Sequence, residues 1–212
     1  VSLQTLGLFP LPGFVLFPRT AVPLHIFESR YVKLVRETLE GEKRLATGQL
    51  RRGWEKDYYG APPAFRTVTI ARILDSEKLP NDRYNILVEG IERAAIVEHV
   101  EEKPYRVVKA RSLRDEMPPE DMPAITEGRR ELVARCERLA RHQPELRAAL
   151  TNLENIHLHP GIIADQMASL LVKDAYERQS LLEERSVRRR IDLVNVQLRT
   201  LLLHLEESGE RV

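Results

Sequence analysis

The chain has 212 residues, 42% hydrophobic and 31% charged, with 33 Lys+Arg against 32 Asp+Glu for a formal net charge of +1. It is long enough to bury a substantial core, and its near-neutral balance excludes a protein held to nucleic acid by bulk basic charge. The single cysteine, Cys136, excludes an intrachain disulfide and favours a reducing compartment.

The first 27 residues are apolar but interrupted by Pro10, Pro12, Pro18 and Pro23. Proline at that density forbids a helix and leaves extended segments with tight turns, Phe14–Phe17 being an apolar run of strand length. Ser29 offers an N-cap to a short helix carrying Val32, Val35 and Leu39, which Gly41 would close in a left-handed conformation. Strands are predicted at Leu45–Leu50, Phe65–Leu74, Arg83–Glu89, Ala94–Glu101 and Tyr105–Leu113, with Pro80-Asn81-Asp82 as a hairpin turn. No long helix lies between them, so the sheet should be mainly antiparallel and able to close into a barrel.

Residues Arg114–Pro123 are acidic and rich in proline, which suits an extended, solvated linker. The expected division is a β-rich subdomain over residues 1–116 and a helical bundle over 117–212. Apolar stripes at helical spacing run through Ile125, Leu132, Cys136 and Leu139, through Leu146, Leu150 and Leu153, and through Ile163, Met167, Leu170 and Leu171. Asp174 with Glu177 reads as a capping-box variant. Ser186 caps a final helix whose seam is Val187, Ile191, Val194, Leu198, Leu201 and Leu205. No signal peptide is visible, and the apolar runs end well short of a membrane span, so a soluble cytoplasmic protein without membrane contact is expected.

The opening Leu8-Phe9-Pro10-Leu11-Pro12-Gly13-Phe14-Val15-Leu16-Phe17-Pro18, followed by Pro23-Leu24-His25-Ile26-Phe27-Glu28 and Arg30-Tyr31, resembles the signature of the Lon protease N-terminal (substrate-binding) domain family. Ser29 stands where that family usually has proline. Ile70-Ala71-Arg72-Ile73, Asp82-Arg83-Tyr84 and Glu89-Gly90-Ile91-Glu92-Arg93 resemble a further block, although the usual glycine after the aspartate is missing. Gln179-Ser180-Leu181-Leu182-Glu183 is similar to a segment of the family's helical tail. The resemblance, to a stand-alone form of the domain, implies an α+β fold: a PUA-like antiparallel β pseudo-barrel with a short helix, then a C-terminal α-helical bundle. It also implies recognition of unfolded or damaged substrates. No G-x-x-x-x-G-K-[ST] phosphate loop and no serine–lysine protease domain accompany it, so recognition is carried over and proteolysis is not.

The segment Arg51–Pro63 holds the only tryptophan, Trp54, and the adjacent Tyr58 and Tyr59 among glycine, charge and proline. Aromatic rings on loops present much apolar area at low entropic cost, so Trp54, Tyr58, Tyr59 and nearby Phe65 are candidate peptide-binding residues. The competing reading has these rings plug the barrel end. Arg185, Arg188, Arg189 and Arg190 form the densest basic cluster, a candidate phosphate-binding patch or a solvated helix face offset by Glu183 and Glu184. His25 is read as a structural histidine bonded to backbone, His157 and His159 as polar loop residues rather than metal ligands, and Cys136 as a small core residue.

The expected function is therefore a non-catalytic protein- or peptide-binding module, acting as an adaptor or regulator of proteolysis. It would hold extended apolar or partly unfolded segments in a groove or cleft between barrel and bundle, with backbone hydrogen bonds at an exposed strand edge. RNA binding through the barrel and the basic helix face is the alternative. Expected partners are unfolded or apolar protein segments and an ATP-dependent protease; no cofactor, no metal, and a monomer or weak homodimer are expected.

Overall fold

A computed structural model of the protein describes residues 3–101, 104–142 and 159–209. The proline-interrupted opening becomes two strands, β1 (Leu3–Leu11) and β2 (Ala21–Ile26), followed by helix α1 (Ser29–Glu40). Four strands follow: β3 (Arg44–Gln49), β4 (Thr67–Leu79), β5 (Arg83–Glu101) and β6 (Arg106–Ser112). They hydrogen-bond in the order β2-β5-β4-β3-β1-β6, and β6 returns to pair with β5. Five strands therefore close on themselves, while β2 extends the wall beside the first half of β5. Every pairing is antiparallel except β1–β3, in line with the mainly antiparallel barrel expected.

Three local expectations are corrected. Phe14–Phe17 is not a strand, although Val15, Leu16 and Phe17 are buried. Buried backbone carbonyls need donors, and here side chains supply them. Arg178 Nη2 donates to Val15 O at 3.0 Å, Thr69 Oγ1 to Leu16 O at 2.5 Å and Thr20 Oγ1 to Phe17 O at 2.8 Å. The segments Arg83–Glu89 and Ala94–Glu101 are one 19-residue strand. Gly90 keeps it continuous: a Cβ there would meet the Phe17 carbonyl, and its own N–H donates to Thr20 O at 2.9 Å. Register shifts opposite this point, between Ile70 and Ala71 and between Ile73 and Asp75 of β4, bend the strand from one partner to the next. At α1, Ser29 is the first helical residue rather than the cap, and Gly41 has φ −105°. The left-handed residue is Lys43 (φ 59°), whose N–H donates to Thr38 O.

The hairpin at Pro80-Asn81-Asp82 forms as expected. Asn81 and Asp82 both take positive φ, 60° and 57°, a region that Asn and Asp enter more readily than most residues.

Alternation along the strands yields two apolar clusters. One fills the barrel with Leu8, Ala46, Val68, Ile70, Ala94 and Val108 among others. The other lies between α1 and the β2–β5–β4 arm and includes Phe9, Leu16, Ile26, Tyr31, Leu34 and Val88.

The chain divides into two compact units, Val1–Arg114 with Asp174–Glu183, and Asp115–Lys173 with Glu184–Val212. The later helices are α2 (Met122–His142), α3 (Pro160–Leu171), α4 (Ala175–Glu183) and α5 (Val187–Gly209). Helix α4, expected within the 117–212 bundle, belongs to the barrel unit instead. Its polar side explains why: Gln179 Nε2 donates to Thr67 O at 3.1 Å and Arg93 Nε to Leu182 O at 3.0 Å, beside buried Leu181 and Leu182. Asp174 caps it, accepting from the N–H groups of Tyr176 and Glu177 at 2.9 Å each.

In the second unit the stripe Ile125, Leu132, Cys136 and Leu139 is buried, as are Ile163 and Met167; Leu170 is exposed. Leu146, Leu150 and Leu153 lie outside the described residues. The seam of α5 runs through Val187, Ile191, Val194 and Leu198 and ends on Leu202 rather than Leu201 or Leu205. Ser186 Oγ accepts from the Arg189 N–H at 3.3 Å, as a cap should.

No residue of the 114–123 segment is buried, as a solvated connection requires, but the segment is tied to α5. Glu116 brackets the start of α5 with two backbone bonds, to Arg185 O and from Val187 N. Asp115 and Asp121 hold Arg190 and Arg188. Among the described residues, no helix is long and apolar enough to cross a membrane.

Candidate functional site

The aromatic segment is a closed loop. Its neck is tied by Arg51 N to Pro63 O at 2.8 Å and Phe65 N to Gln49 O at 2.9 Å, with a Leu50–Ala64 bridge between. Gly53, at φ 88°, turns the chain into a single 3-10 turn over Trp54–Asp57. Asp57 then closes the descent: its carbonyl accepts from Gly60 N and its Oδ2 from Ala61 N.

This turn brings three rings together and sets Tyr58 at the start of α1. Trp54 packs edge-on to Tyr58 with centroids 5.4 Å apart, and Tyr58 packs edge-on to Tyr59 at 5.2 Å. The Tyr58 hydroxyl donates to Glu28 Oε1 at 2.6 Å. Burial, and then that carboxylate, raise the Tyr58 pKa above the ordinary phenol value. Arg30 Nη1 donates to Tyr58 O at 3.1 Å, and Arg30 Nε donates to Glu28 Oε2 at 3.1 Å. The guanidinium lies 4.6 Å from the Tyr31 centroid and 5.0 Å from that of Tyr58. Tyr31 in turn donates to Pro10 O at 3.1 Å, and burial pushes its pKa up to about 12.

Three clefts surround this latch. One of about 210 Å³ has an apolar floor including Leu8, Pro10 and Ala61, with Tyr31, Tyr59 and Tyr105 as aromatic walls. A shallower one, of about 580 Å³, lies between Tyr59, Pro104, Lys33 and the first turn of α1. The third, of about 270 Å³, is the most apolar, with Phe9, Leu11, Leu24, Ile26 and Phe27 beside Tyr58. Arg30 and Tyr59 are common to the first two clefts, Glu28 to the last two, and Tyr31 to the first and third. Tyr59 is 87% exposed and Phe27 63% exposed, so two large apolar rings stand at the mouths.

The four aromatic candidates thus separate. Trp54, Tyr58 and Tyr59 come together, with Tyr58 latched, Trp54 half-buried behind it and Tyr59 in solvent. Phe65 does not join them. Its ring packs 6.0 Å from Tyr176 of α4, and the Arg51 guanidinium lies over the Phe65 ring, 5.8 Å from its centroid. Reading the loop alone missed Phe27, Glu28, Arg30 and Tyr105. The first three stand in the proline-rich opening motif and were within reach from it; Tyr105 carried no comparable signal.

The basic cluster is not a continuous surface. Arg190 is 1% exposed and holds Asp115 through two bonds of 2.9 and 2.7 Å, with Asp165 Oδ1 3.3 Å from Nε. Burial opposes its charge, but Asp165 and Asp115 outweigh that and raise its pKa. Arg185 pairs with Glu116, Arg188 with Asp121 and Arg189 with Glu184.

His25 is exposed and bonds the Asn85 side chain, Nδ1 to Oδ1 at 2.8 Å, rather than backbone. It also stacks on Phe27 at 6.0 Å. His159 caps α3, its Nδ1 accepting from Gly161 N at 3.2 Å; His157 lies outside the described residues. Cys136 is buried with Sγ 3.1 Å from Met167 Sδ, and burial pushes its thiol up to about 12. Among the described residues no group of three His, Cys, Asp or Glu side chains is arranged to hold a metal.

Comparison with known proteins agrees with this architecture. Two solved structures share the fold. The N-terminal domain of a Mycobacterium avium complex Lon protease matches with a TM-score of 0.66 and 19% identity, covering 92% of this chain and 98% of that one. A Lon N-terminal domain protein from Xanthomonas campestris matches with a TM-score of 0.60 and 22% identity, covering 90% and 96%. In sequence, the chain is 30% identical over 195 residues to Lon protease 2 of Myxococcus xanthus and 29% identical over 193 residues to the Lon protease of Anaeromyxobacter dehalogenans. Those matches cover 90% and 89% of this chain but 23% and 22% of the relatives, so the chain spans about a quarter of their length. The profile of the ATP-dependent protease La (LON) substrate-binding domain matches residues 5–200, and the chain belongs to that family.

Proposed function

We propose that this chain is a non-catalytic recognition module that binds extended, apolar polypeptide segments for an ATP-dependent protease. The observation that carries the reading is Tyr59, a large ring 87% exposed and shared by two clefts beside an apolar third. An exposed aromatic with adjoining pockets is the arrangement expected of a surface that takes up side chains from a partner. Strand β2 supports it: it ends the sheet order, bonded to β5 on one side, and leads into Phe27 at the third cleft. An extended segment laid along that edge would gain backbone hydrogen bonds while its alternate side chains enter the clefts. The relatives are named as Lon proteases and the family as their substrate-binding domain, which fits a polypeptide ligand. The paired state of Arg185, Arg188, Arg189 and Arg190 gives the RNA alternative no comparable support.

The test is titration of Trp54 fluorescence with a permanently unfolded protein and, separately, with single-stranded RNA. A saturable change with the unfolded protein is expected, with Tyr59→Ala weakening binding about tenfold. Far-UV circular dichroism should be unchanged in the variant. A response to RNA alone, falling steeply with salt, would replace this reading with the nucleic-acid one.

A further inference from the structure

Among the described residues lining the first two clefts, Arg30, Lys33 and Arg106 are cationic and Glu28 is the one carboxylate. Glu28 is already engaged at both oxygens, Oε1 by the Tyr58 hydroxyl and Oε2 by Arg30. The remaining polar groups there are mostly phenols, and two of them have acceptors elsewhere: Tyr31 donates to Pro10 O and Tyr105 to Glu37. Three cations therefore stand with one carboxylate among the described lining residues, beside apolar side chains.

Arg30 is the best defined of these cations. A guanidinium carries five N–H donors. Its Nε–H goes to Glu28, one Nη1–H to Tyr58 O, and Nη2 lies 2.9 Å from Glu28 Oε2. That leaves one N–H on each terminal nitrogen, and among the described residues neither makes a further bond. N–H donors left on the two terminal nitrogens suit the oxygens of an incoming carboxylate. The rings of Tyr31 and Tyr58 beside the guanidinium fix its plane and lower the local dielectric, so an incoming ion finds the donor fork already oriented. Lys33 is half-exposed at the rim of the second cleft, 3.7 Å from Glu37, where it adds a longer-range attraction.

We infer that the groove selects polypeptide segments in which a carboxylate stands beside an aromatic or aliphatic side chain. The carboxylate meets the outward edge of Arg30 and the apolar neighbour packs on Tyr59 and the floor of the first cleft. This rests on the polypeptide-binding reading above and narrows it. An acidic side chain and a free C-terminus present the same chemistry, and the experiment separates them.

The experiment is fluorescence anisotropy of the full chain with four labelled peptides that share one apolar, aromatic core. One is neutral and amidated, one has glutamate beside the aromatic residue, one ends in a free carboxylate there, and one has lysine. Either carboxylate peptide, or both, should bind about tenfold more tightly than the neutral amide, and the lysine peptide more weakly than it. The preference should shrink as salt rises from about 0.05 to 0.5 M, because exposed charges are screened. Lys33→Gln, a change at an exposed position, should reduce the preference about twofold. A tighter glutamate peptide names the acidic side chain as the source; a tighter free-acid peptide names the C-terminus. Equal affinity of the neutral and carboxylate peptides would overturn the inference while leaving the polypeptide-binding reading in place. Binding of none of the four would overturn both.

Discussion

Replacing Arg190 with methionine tests what holds the second unit together. Arg190 is the largest fully buried side chain, and it reaches two carboxylates at once. Asp115 takes two charge-assisted bonds of 2.9 and 2.7 Å, and Asp165, 2% exposed, lies 3.3 Å from Nε. The same guanidinium also donates to Glu184 O at 2.8 Å, where the chain enters α5. Methionine fills part of the volume but removes the guanidinium from beside the buried Asp165. Removing one partner of a buried pair costs about 3–5 kcal/mol, which for a chain of this length lowers Tm by roughly 10 °C. Arg190→Lys should fall between, since it keeps the charge but loses the two-pronged grip on Asp115. Neutralising all three positions (Arg190→Met, Asp115→Asn, Asp165→Asn) should recover most of the loss, because the penalty lies in carboxylates that have lost the guanidinium. Urea unfolding followed by far-UV circular dichroism reports the helical unit, and Trp54 emission reports the barrel unit separately. The circular dichroism midpoint should move and the Trp54 midpoint should move less. A loss below about 1 kcal/mol for Arg190→Met, or a triple variant less stable than the single one, would refute the reasoning.

Three further outcomes follow from the geometry. Gly90→Ala should destabilise the barrel unit by about 1–3 kcal/mol, since the new Cβ would lie 2.9 Å from the Phe17 carbonyl carbon; the Trp54 unfolding midpoint measures it. Cys136 should react with a thiol reagent only on unfolding, because burial both hides it and raises its pKa to about 12. Stability should fall at alkaline pH. Tyr31 and Tyr105 have folded pKa values raised from 10.0 to about 12, chiefly by burial. The folded state therefore holds these protons more tightly, and the contribution is complete below about pH 10 and lost as pH rises through about 12. Urea midpoints measured across that range should decline, less steeply in Tyr31→Phe; a flat profile would contradict the assignment.

Much of the barrel was legible in the residues because side-chain alternation is a local signal. The β3, β4 and β6 segments, the Pro80-Asn81-Asp82 turn and the Asp174 and Ser186 caps each follow from short-range rules of pattern and capping. Phe14–Phe17 was misread because its backbone is satisfied by Arg178 and Thr69, residues far away in the chain. Pattern cannot show that exchange. Gly90 was passed over as a break for the same reason: what it accommodates, the Phe17 carbonyl, comes from another segment. Helix α4 was grouped with the later helices, since helical periodicity does not say which surface a helix meets; Gln179 bonded to Thr67 decides that.

The site divides along the same line. That the Arg51–Pro63 segment carries unusual aromatic content was plain from composition, and so was the interest of the opening motif. Their meeting was not. Glu28, Arg30 and Tyr58 converge only because the closed neck of the loop swings Tyr58 onto the first turn of α1. The four arginines show the reverse case: a cluster in sequence that the fold disperses, burying Arg190 between two aspartates while the others point outward to separate carboxylates. Sequence by itself determined most of the elements, the family and the side-chain chemistry each segment carries, because these depend on local propensity and motif. Tertiary structure alone decided which rings face water, which charges are neutralised and which clefts adjoin, because burial and pairing depend on residues distant in the chain.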